Sequence, residues 1–324
     1  MKNFPGGNPA MLNRLVFSYR KKFHVKLQIN KLCQGIALLT FILFLIGCAK
    51  DENVSPSHLP IDERGPIGPG GSGSTLLYGL SDRNEIVKLM SGPPVTELER
   101  IPITGVRDGD VILAIDIRPA TGLIYGLSAT GILYTININI GNGGKNATMV
   151  SGTPLNPAIA GTIVGFDFDP RADRIRLVTE KGQNMRINPT TGAVSNIDFP
   201  INPGLASMNS IAYGMTLSSI TGASLYDIDI LGGNLYRQNP TQGTLTFVGP
   251  LGLTISGEGG FDISRRGAAF ASLFAGILDG SGGGVGGSGD DGQPAYRIYS
   301  INLKTGKATS HGKVKSNLIG LTIP

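Results

Sequence analysis

The sequence is poor in the residues that carry redox, metal and nucleophilic chemistry. Its 324 residues include no Trp, two Cys and three His. His24 lies in a basic leader and His58 in a Gly/Pro-rich stretch, so His311 alone remains for a folded domain. One His offers no pattern for a Ser-His-Asp triad or a His-rich metal site. We therefore expect neither redox nor zinc chemistry. Our prediction is that the protein is not an enzyme and has no catalytic residue.

The chain also lacks a basic region beyond its first 47 residues. That leader holds seven of the 28 Lys and Arg and none of the 23 Asp and Glu, so the remainder carries 21 basic and 23 acidic residues. Binding to nucleic acid depends on clustered basic side chains that neutralise phosphates. We therefore predict no nucleic-acid partner, and we attribute the pI of about 9.2 to the leader.

Long apolar runs are missing as well. The longest, residues 36–46, has eleven residues, whereas a helix needs about 20 to cross a bilayer. Its length is typical of the apolar core of a signal peptide. The run ends in Leu45-Ile46-Gly47-Cys48, which resembles the lipobox of bacterial lipoproteins, where the Cys receives the lipid. We predict a signal peptide over 1–47 and lipidation of Cys48, which makes the membrane a partner; a plain transmembrane anchor is the alternative.

The residues after Cys48 indicate where such a lipoprotein would reside. Lys50, Asp51 and Glu52 resemble the surface-export signal of Bacteroidetes lipoproteins, in which a Lys and two acids follow the Cys. This resemblance implies an outer-membrane lipoprotein exposed at the cell surface; a periplasm-facing position is the alternative. Residues 48–74 are rich in Gly, Pro and Ser, which predicts a flexible linker after the lipidated Cys. Since Cys33 is lost with the leader, no disulfide is expected.

What the remaining chain does contain is a repeat. Units of four short segments, rich in β-branched and aromatic residues, are separated by Gly, Asn or Pro, as in strands joined by tight turns. The first segment of each unit begins near residues 112, 163, 209, 259 and 318, about 45 to 60 residues apart. Four strands at this spacing are typical of one blade of a β-propeller.

The two ends of the repeat complete each other. Residues 75–98 lack an opening strand, and residues 319–323 form an opening strand with nothing after it. Pairing the last strand with the first blade would close a ring and remove two free edges. We predict an all-β fold over 75–324, a propeller of five four-stranded blades. Six blades are the main alternative, and a right-handed β-helix is a weaker one. The Gly-rich tract 280–292 is predicted to be a loop.

Several phrases of the repeat resemble a known family. They are Leu76-Leu-Tyr-Gly-Leu-Ser81, Ala114-Ile-Asp-Ile-Arg-Pro119, Gly165-Phe-Asp-Phe-Asp-Pro170, Asp173-Arg-Ile-Arg-Leu-Val178 and Gln183-Asn-Met-Arg-Ile-Asn-Pro189. The sequence over 75–324 resembles bacterial proteins built on the domain of unknown function 4394. The resemblance implies a secreted or envelope-bound, β-propeller-like domain. It implies no established activity and transfers no catalytic residue.

Three aspartates occupy the same position of three opening strands. They are Asp116, Asp167 and Asp262, and the other two strands carry Ala212 and Thr322 there. The opening strand is the innermost of a blade, so these carboxylates could converge in the central channel and bind Ca²⁺, which takes oxygen ligands. The alternative is that each Asp accepts hydrogen bonds from a neighbouring turn.

Two arginines form a second candidate site. Arg176 and Arg186 fall on consecutive strands and could lie side by side as a surface that contacts an acidic glycan or another carboxylate. The alternative is that they are solvated edge charges paired with Asp173 and Glu180.

These observations favour a binding or scaffold module. The sequence predicts a monomeric, lipid-anchored envelope propeller that binds a glycan or protein partner. No cofactor is predicted apart from the possible Ca²⁺ in the channel. The alternative is a polysaccharide hydrolase or lyase that uses the channel carboxylates.

Overall fold

The computed structural model describes residues 73–139, 144–201, 208–214, 223–277 and 294–324. The chain divides into two compact units, Met1–Ser57 and His58–Pro324, and every described residue belongs to the second. The predicted signal peptide, Cys48, the export signal Lys50, Asp51 and Glu52, most of the linker and the Gly-rich tract lie outside the described residues. No helix in the described ranges is long and apolar enough to cross a membrane.

The regular structure of the described residues consists of twenty β-strands. In chain order they are β1 (Leu76–Ser81), β2 (Glu85–Met90), β3 (Thr96–Pro102), β4 (Ile112–Ile117), β5 (Ile124–Ser128), β6 (Leu133–Ile136), β7 (Ala147–Met149), β8 (Val164–Asp169), β9 (Arg174–Thr179), β10 (Asn184–Ile187), β11 (Val194–Ile197), β12 (Met208–Gly214), β13 (Ser224–Asp229), β14 (Asn234–Gln238), β15 (Leu245–Pro250), β16 (Leu253–Ile263), β17 (Ala269–Ile277), β18 (Ala295–Ile301), β19 (Ala308–Lys313) and β20 (Leu318–Thr322).

The strands form five four-stranded antiparallel sheets, which are the blades of a propeller. Their orders are β20-β1-β2-β3, β4-β5-β6-β7, β8-β9-β10-β11, β12-β13-β14-β15 and β16-β17-β18-β19, numbered here as blades 1 to 5. The innermost strands β20, β4, β8, β12 and β16 each contact the next, and β16 contacts β20 again. The five-bladed prediction is confirmed, and the six-bladed and β-helix alternatives are wrong.

Ring closure follows the predicted route. The C-terminal strand β20 pairs antiparallel with β1, with Tyr78 opposite Thr322 and Leu80 opposite Gly320. Blade 1 is therefore assembled from both ends of the domain, and β20 covers the edge of β1 that would otherwise be unpaired. The strands of all five blades lie within residues 76–322.

Blades are held together by apolar clusters at each junction. Strands near the channel are buried on both faces, as in β5, because each blade packs against two neighbours. Phe166 lies in the cluster between blades 2 and 3, and Phe261 in the cluster between blades 4 and 5. Both therefore point away from the adjacent channel aspartates, as expected from the alternation of side chains along a strand.

The repeated Thr-Gly turns have a simple conformational cause. In the turn after β10, Asn188 Oδ1 accepts the backbone N–H of Thr190 at 2.8 Å, and the Gly192 N–H is donated to the Asn188 carbonyl at 2.9 Å. Gly192 has φ of +69°, a left-handed conformation that glycine adopts without a Cβ clash. Gly306 adopts the same left-handed conformation, with φ of +79°, which explains why a glycine is repeated at this position of the turns.

One opening strand differs from its expected extent. The sequence places it near residue 259, whereas β16 begins at Leu253 and has a register shift between Ile255 and Gly259. A bulge interrupts the alternation of residue types, which is the signal that sequence reasoning uses to find a strand.

The two mouths of the channel differ in what surrounds them. Hydrogen bonds join the last residues of neighbouring innermost strands, as between Asp116 and Phe168, so all of these strands finish at the same mouth. The turns that follow them, residues 118–123, 170–173 and 264–268, surround this mouth and are called the hairpin face. Strand β1 also begins on this side, since Leu76 lies beyond the pair formed by Tyr78 and Thr322. The other mouth is called the opposite face.

Candidate functional site

The three predicted channel aspartates converge. Asp116 on β4, Asp167 on β8 and Asp262 on β16 are all buried. One carboxylate oxygen from each lies within 4.8 Å of the others. The predicted convergence is therefore observed; it arises because the same register position recurs in blades 2, 3 and 5.

Each carboxylate also links its blade to the next one. Asp116 accepts the Phe168 N–H at 2.7 Å, Asp167 accepts the Tyr213 N–H at 2.8 Å, and Asp262 accepts the Ile323 N–H at 2.6 Å. In blade 1 the hydroxyl of Thr322 takes the same role, accepting the Ile117 N–H at 3.1 Å. The Thr322 hydroxyl also lies 2.7 Å from Asp116 Oδ1 and 3.1 Å from Asp262 Oδ2.

These contacts correct the alternative that the sequence suggested. That alternative had the aspartates bonded to turns, but their backbone partners lie on innermost strands or, for Ile323, directly after one. Asp116 and Asp262 each also accept the N–H of the residue that follows them, at 2.7 and 2.5 Å. A strand N–H that points across a blade junction has no ladder partner, so an acceptor there prevents a buried, unsatisfied donor.

The buried carboxyl groups retain protons more strongly than usual. Burial raises the pKa of Asp262 to about 6. Burial and the neighbouring Asp262 raise the pKa of Asp116 well above its usual value. Burial, Asp116 and Asp262 do the same to the pKa of Asp167, and a hydrogen bond between the Asp116 and Asp167 side chains adds to it. The group can therefore hold protons or, in their place, a cation.

Arg176 and Arg186 lie opposite each other on β9 and β10, as the sequence suggested. Their partner is Asp198, which accepts Arg176 Nη1 at 2.5 Å and both Nε and Nη2 of Arg186 at 2.8 Å. Asp173 and Glu180, the partners named by the alternative, bond instead to Arg118 and to the backbone of Thr162 and Ile163. The Arg176 side chain is only 2% exposed, so the expected two-arginine surface is wrong for Arg176.

Arg176 instead joins blade 3 to blade 4. Its Nη1 is donated to the Pro240 carbonyl at 3.1 Å, and its Nε to the Tyr213 hydroxyl at 3.2 Å. Asp227 of β13 is fully buried near this network, and burial raises its pKa well above the usual value. The side-chain amide of Gln238, oriented to donate, reaches both Asp227 oxygens at 2.7 and 3.2 Å. This polar group is therefore part of a blade junction.

The hairpin face carries arginines that sequence reasoning did not single out as a site. Arg171, Arg265 and Arg266 are exposed there, beside the half-buried Arg118 and Arg174. We call these five residues the arginine rim. Arg118 forms a two-point ion pair with Asp173, with Nε at 2.8 Å and Nη2 at 2.5 Å. Arg265 donates to the Pro119 carbonyl across the mouth.

A sequence signal for the rim does exist. Arginines follow the channel aspartates by two to four residues in three blades, in Asp116-Ile-Arg118, Asp167-Phe-Asp-Pro-Arg171 and Asp262-Ile-Ser-Arg265-Arg266. Since the innermost strand of each of these blades ends one or two residues after the aspartate, arginines at these offsets must lie in or next to the turn that follows this strand. Aligning the blades on their aspartates would therefore have predicted that these arginines surround one mouth of the channel.

The fold and this site define a five-bladed β-propeller. Three aspartates converge in its channel and form hydrogen bonds that link neighbouring blades. The model of the domain of unknown function DUF4394 matches residues 85–322, and the chain belongs to that family.

Comparisons with solved structures give distant similarities of shape. The structure of a nidogen/laminin complex matches with 14% identity and a TM-score of 0.44, covering 78% of this chain and 98% of that one. A protein of unknown function from Bacteroides caccae matches with 12% identity and a TM-score of 0.39, covering 78% and 98%. One from Bacteroides thetaiotaomicron matches with 12% identity and a TM-score of 0.43, covering 76% and 59%. A search of curated proteins finds no match.

Proposed function

We propose that this protein is a lipid-anchored envelope propeller that acts as a binding or scaffold module for a glycan or protein partner. The observation that carries the proposal is the engagement of the channel carboxylates in links between blades. Because Asp116, Asp167 and Asp262 are buried in that role, the surfaces available to another molecule are the two faces of the ring. The lipobox-like sequence before Cys48 and the signal-like residues after it support an anchored, surface-exposed position.

The geometry does not favour the hydrolase or lyase alternative. A glycosidase holds the scissile bond between two carboxyl groups that flank the sugar. The channel carboxylates are buried, and their nearest oxygens lie within 4.8 Å of one another. Because all three side chains are buried and bonded to a neighbouring blade, they are not open to a sugar, and they support binding or structure in preference to glycan cleavage.

Calcium remains a proposal at the same residues. Three carboxylates and the Thr322 hydroxyl offer hard oxygen ligands in one place, which favours a cation. Ca²⁺ takes six to eight oxygens, so carbonyl groups or water would have to complete its shell. A bound Ca²⁺ would replace the protons that the raised pKa values retain.

A thermal-shift experiment on His58–Pro324 tests ligand binding. This unit contains every strand that the structure describes and carries neither Cys33 nor Cys48. A ligand that binds only the folded state must raise the unfolding midpoint as its concentration exceeds Kd. With a panel of acidic and neutral envelope glycans, we expect at least one to raise the midpoint. If none does, a glycan partner is excluded, and the remaining proposal, a protein partner, is tested by crosslinking on cells.

The same assay separates calcium from protons. A Ca²⁺-dependent rise, reversed by EDTA and lost in Asp167→Asn, would establish the metal site. The exposed Asp108→Asn variant, which removes the same charge outside the channel, should keep the shift. An unchanged midpoint in Ca²⁺ would overturn the calcium proposal.

Anchoring is tested separately in cells. We expect a fatty-acid analogue to label the full chain and Cys48→Ala to abolish the label. Labelling that persists in Cys48→Ala would contradict the lipoprotein assignment.

A further inference from the structure

We propose that the hairpin face docks onto anionic lipid headgroups, so that the propeller lies with its channel mouth against the membrane and its opposite face outward. This inference rests on the proposed lipid anchor for its biological setting, and it names the partner of one specific face. It is carried by the arginine rim and by the position at which the chain enters the domain.

The charge of the hairpin face has one predominant sign. The arginine rim contributes five cations, whereas the described hairpins and the strand ends beside them contribute two acids, Asp169 and Asp173, in addition to the three buried channel aspartates. Both acids have local partners: Asp169 Oδ1 accepts the N–H of Arg171 at 2.9 Å, and Asp173 pairs with Arg118. The outermost rim residues, Arg171, Arg265 and Arg266, are exposed. Exposed guanidinium groups gathered on one face complement a surface of phosphate headgroups.

The chain enters the propeller on the same side. Thr75 is joined to Ser91 by backbone hydrogen bonding, with the Ser91 N–H donated to the Thr75 carbonyl at 2.9 Å. Strand β1 then runs away from the hairpin face, because Leu76 lies at the end of the sheet where β20 finishes. Any anchor that precedes residue 73 is therefore attached on the hairpin side. A tether on this side raises the effective concentration of the rim at the membrane that holds it.

The opposite face has a different electrostatic character near the channel. Glu180 follows β9 and Asp82 follows β1, and both therefore lie where the innermost strands begin. Burial and the charge of Glu180 raise the pKa of Glu258 in β16. Burial, Glu258 and Asp82 raise the pKa of Tyr296 as well. Negative charges thus interact across this mouth, while the exposed Arg83 and Lys181 lie beside Asp82 and Glu180. This face therefore lacks the single predominant sign of charge that the hairpin face has for an anionic membrane.

Vesicle binding by the anchor-free unit His58–Pro324 tests the rim without help from a lipid chain. We expect it to cosediment with vesicles of phosphatidylcholine and phosphatidylglycerol, and not with pure phosphatidylcholine. Binding should weaken at high ionic strength, because the exposed charges are screened. Removing two rim charges in Arg265→Ala/Arg266→Ala should weaken binding by roughly fivefold for each arginine.

A matched control is available on the opposite face. Lys181, in the turn between β9 and β10, and Lys315, between β19 and β20, are exposed and lie where the innermost strands begin. Lys181→Ala/Lys315→Ala removes the same charge from the opposite face and should keep vesicle binding. The charge-preserving Arg265→Lys/Arg266→Lys should retain most of it, which distinguishes lost charge from a distorted hairpin.

The orientation of the propeller on the vesicle is measured with two fluorescent labels placed beyond opposite ends of one strand. Ala120 and Ala129 are exposed and precede and follow β5, so Ala120→Cys places a label on the hairpin face and Ala129→Cys places one on the opposite face. The unit has no native Cys, so each label is unique. We expect lipids that carry a quencher to quench the label at Ala120 and not the label at Ala129.

Three results would overturn the inference: no binding to anionic vesicles at low ionic strength, equal loss in the lysine control, or equal quenching of both labels. An acidic glycan that requires Arg265 and Arg266 in the absence of vesicle binding would also overturn it and reassign the face to a glycan. Because the unit carries no lipid, these outcomes are independent of whether Cys48 is acylated.

Discussion

Asp116 accepts the backbone N–H of Phe168 at 2.7 Å and so ties the innermost strand of blade 2 to that of blade 3. Asp167, Asp262 and Thr322 repeat this link at three further junctions. The fifth equivalent position is Ala212, which has no side-chain acceptor. There the Ile263 N–H is donated instead to Asp262 Oδ1 at 2.5 Å, on its own strand. The channel aspartates therefore contribute to ring closure whatever else they bind.

Replacing Asp116 tests the strength of one link. Asp116→Asn leaves one carbonyl oxygen where two carboxylate oxygens now accept two backbone N–H groups and a hydroxyl contact. We expect a loss of about 1–3 kcal/mol in the free energy of unfolding, the cost of leaving a buried donor unsatisfied. Urea denaturation at pH 5 measures it, and the exposed Asp108→Asn should be close to neutral. A variant as stable as the parent would mean that the link contributes no net stability.

The raised carboxyl pKa values predict that stability decreases as the pH rises. An acid with a raised folded-state pKa binds more protons in the native state, so its contribution is full below the unfolded value and is lost as pH rises through the folded value. For Asp262 that window runs from its usual 3.8 to about 6. Asp116, Asp167 and Asp227 act in the same direction. Without Ca²⁺, the unfolding midpoint should be lower at pH 8 than at pH 5.

One histidine opposes this trend and provides a control. Burial lowers the pKa of His311 below 6.5, so the native state resists protonation and loses stability as pH falls below that value. His311→Gln should therefore make the fall in midpoint from pH 5 to pH 8 larger, whereas Asp262→Asn should make it smaller. A midpoint that rises from pH 5 to pH 8 in His311→Gln would contradict the assignment of raised carboxyl pKa values.

A glycine in the channel wall tests the spacing of the innermost strands. A Cβ at Gly260 of β16 would lie 2.0 Å from the backbone nitrogen of Leu321 in β20. Backbone atoms cannot yield as a flexible side chain does, so Gly260→Ala should cost about 3 kcal/mol or more, or prevent folding. Gly152→Ala, where a Cβ meets nothing within 4 Å, should be tolerated. Thermal unfolding of both variants decides the matter, and equal midpoints would be the contrary result.

The buried arginine should contribute more than a surface one. Arg176→Leu removes donors from Asp198, Asn184 and the Pro240 carbonyl at the junction of blades 3 and 4. Asp198 keeps Arg186, so we expect a loss of about 3 kcal/mol, at the lower end for a broken buried pair. Lys88→Leu, which breaks the more exposed pair with Glu99, should cost under about 1 kcal/mol. Similar losses in the two variants would show that burial of Arg176 is not decisive.

Much of the candidate site could be predicted because the repeat preserves register. Once Asp116, Asp167 and Asp262 occupy one position of an innermost strand, the symmetry of a closed ring brings them together. The pairing of Arg176 with Arg186 was predictable for the same reason, since neighbouring strands of a hairpin align. Their common partner Asp198 was not, because it lies after β11 and depends on how the outer strand returns to the sheet.

The arrangement of turns and strands is determined by the sequence itself. Short β-branched and aromatic runs, and glycines at positions that require positive φ, such as Gly192 and Gly306, specify local conformation through interactions over a few residues. The fold class, the blade count and the pairing of β20 with β1 follow from counting these local signals.

Tertiary structure alone decided what each polar side chain does. Asp116 bonds to a residue 52 positions away, and Thr322 lies beside Asp116 across 206 positions. Such partners meet only when the ring has closed, and burial then changes their chemistry by raising carboxyl pKa values. The gathering of Arg118, Arg171 and Arg265 at one mouth has the same origin. The sequence specifies these charges, but the arginines share one surface only because all five innermost strands end at the same mouth of the channel.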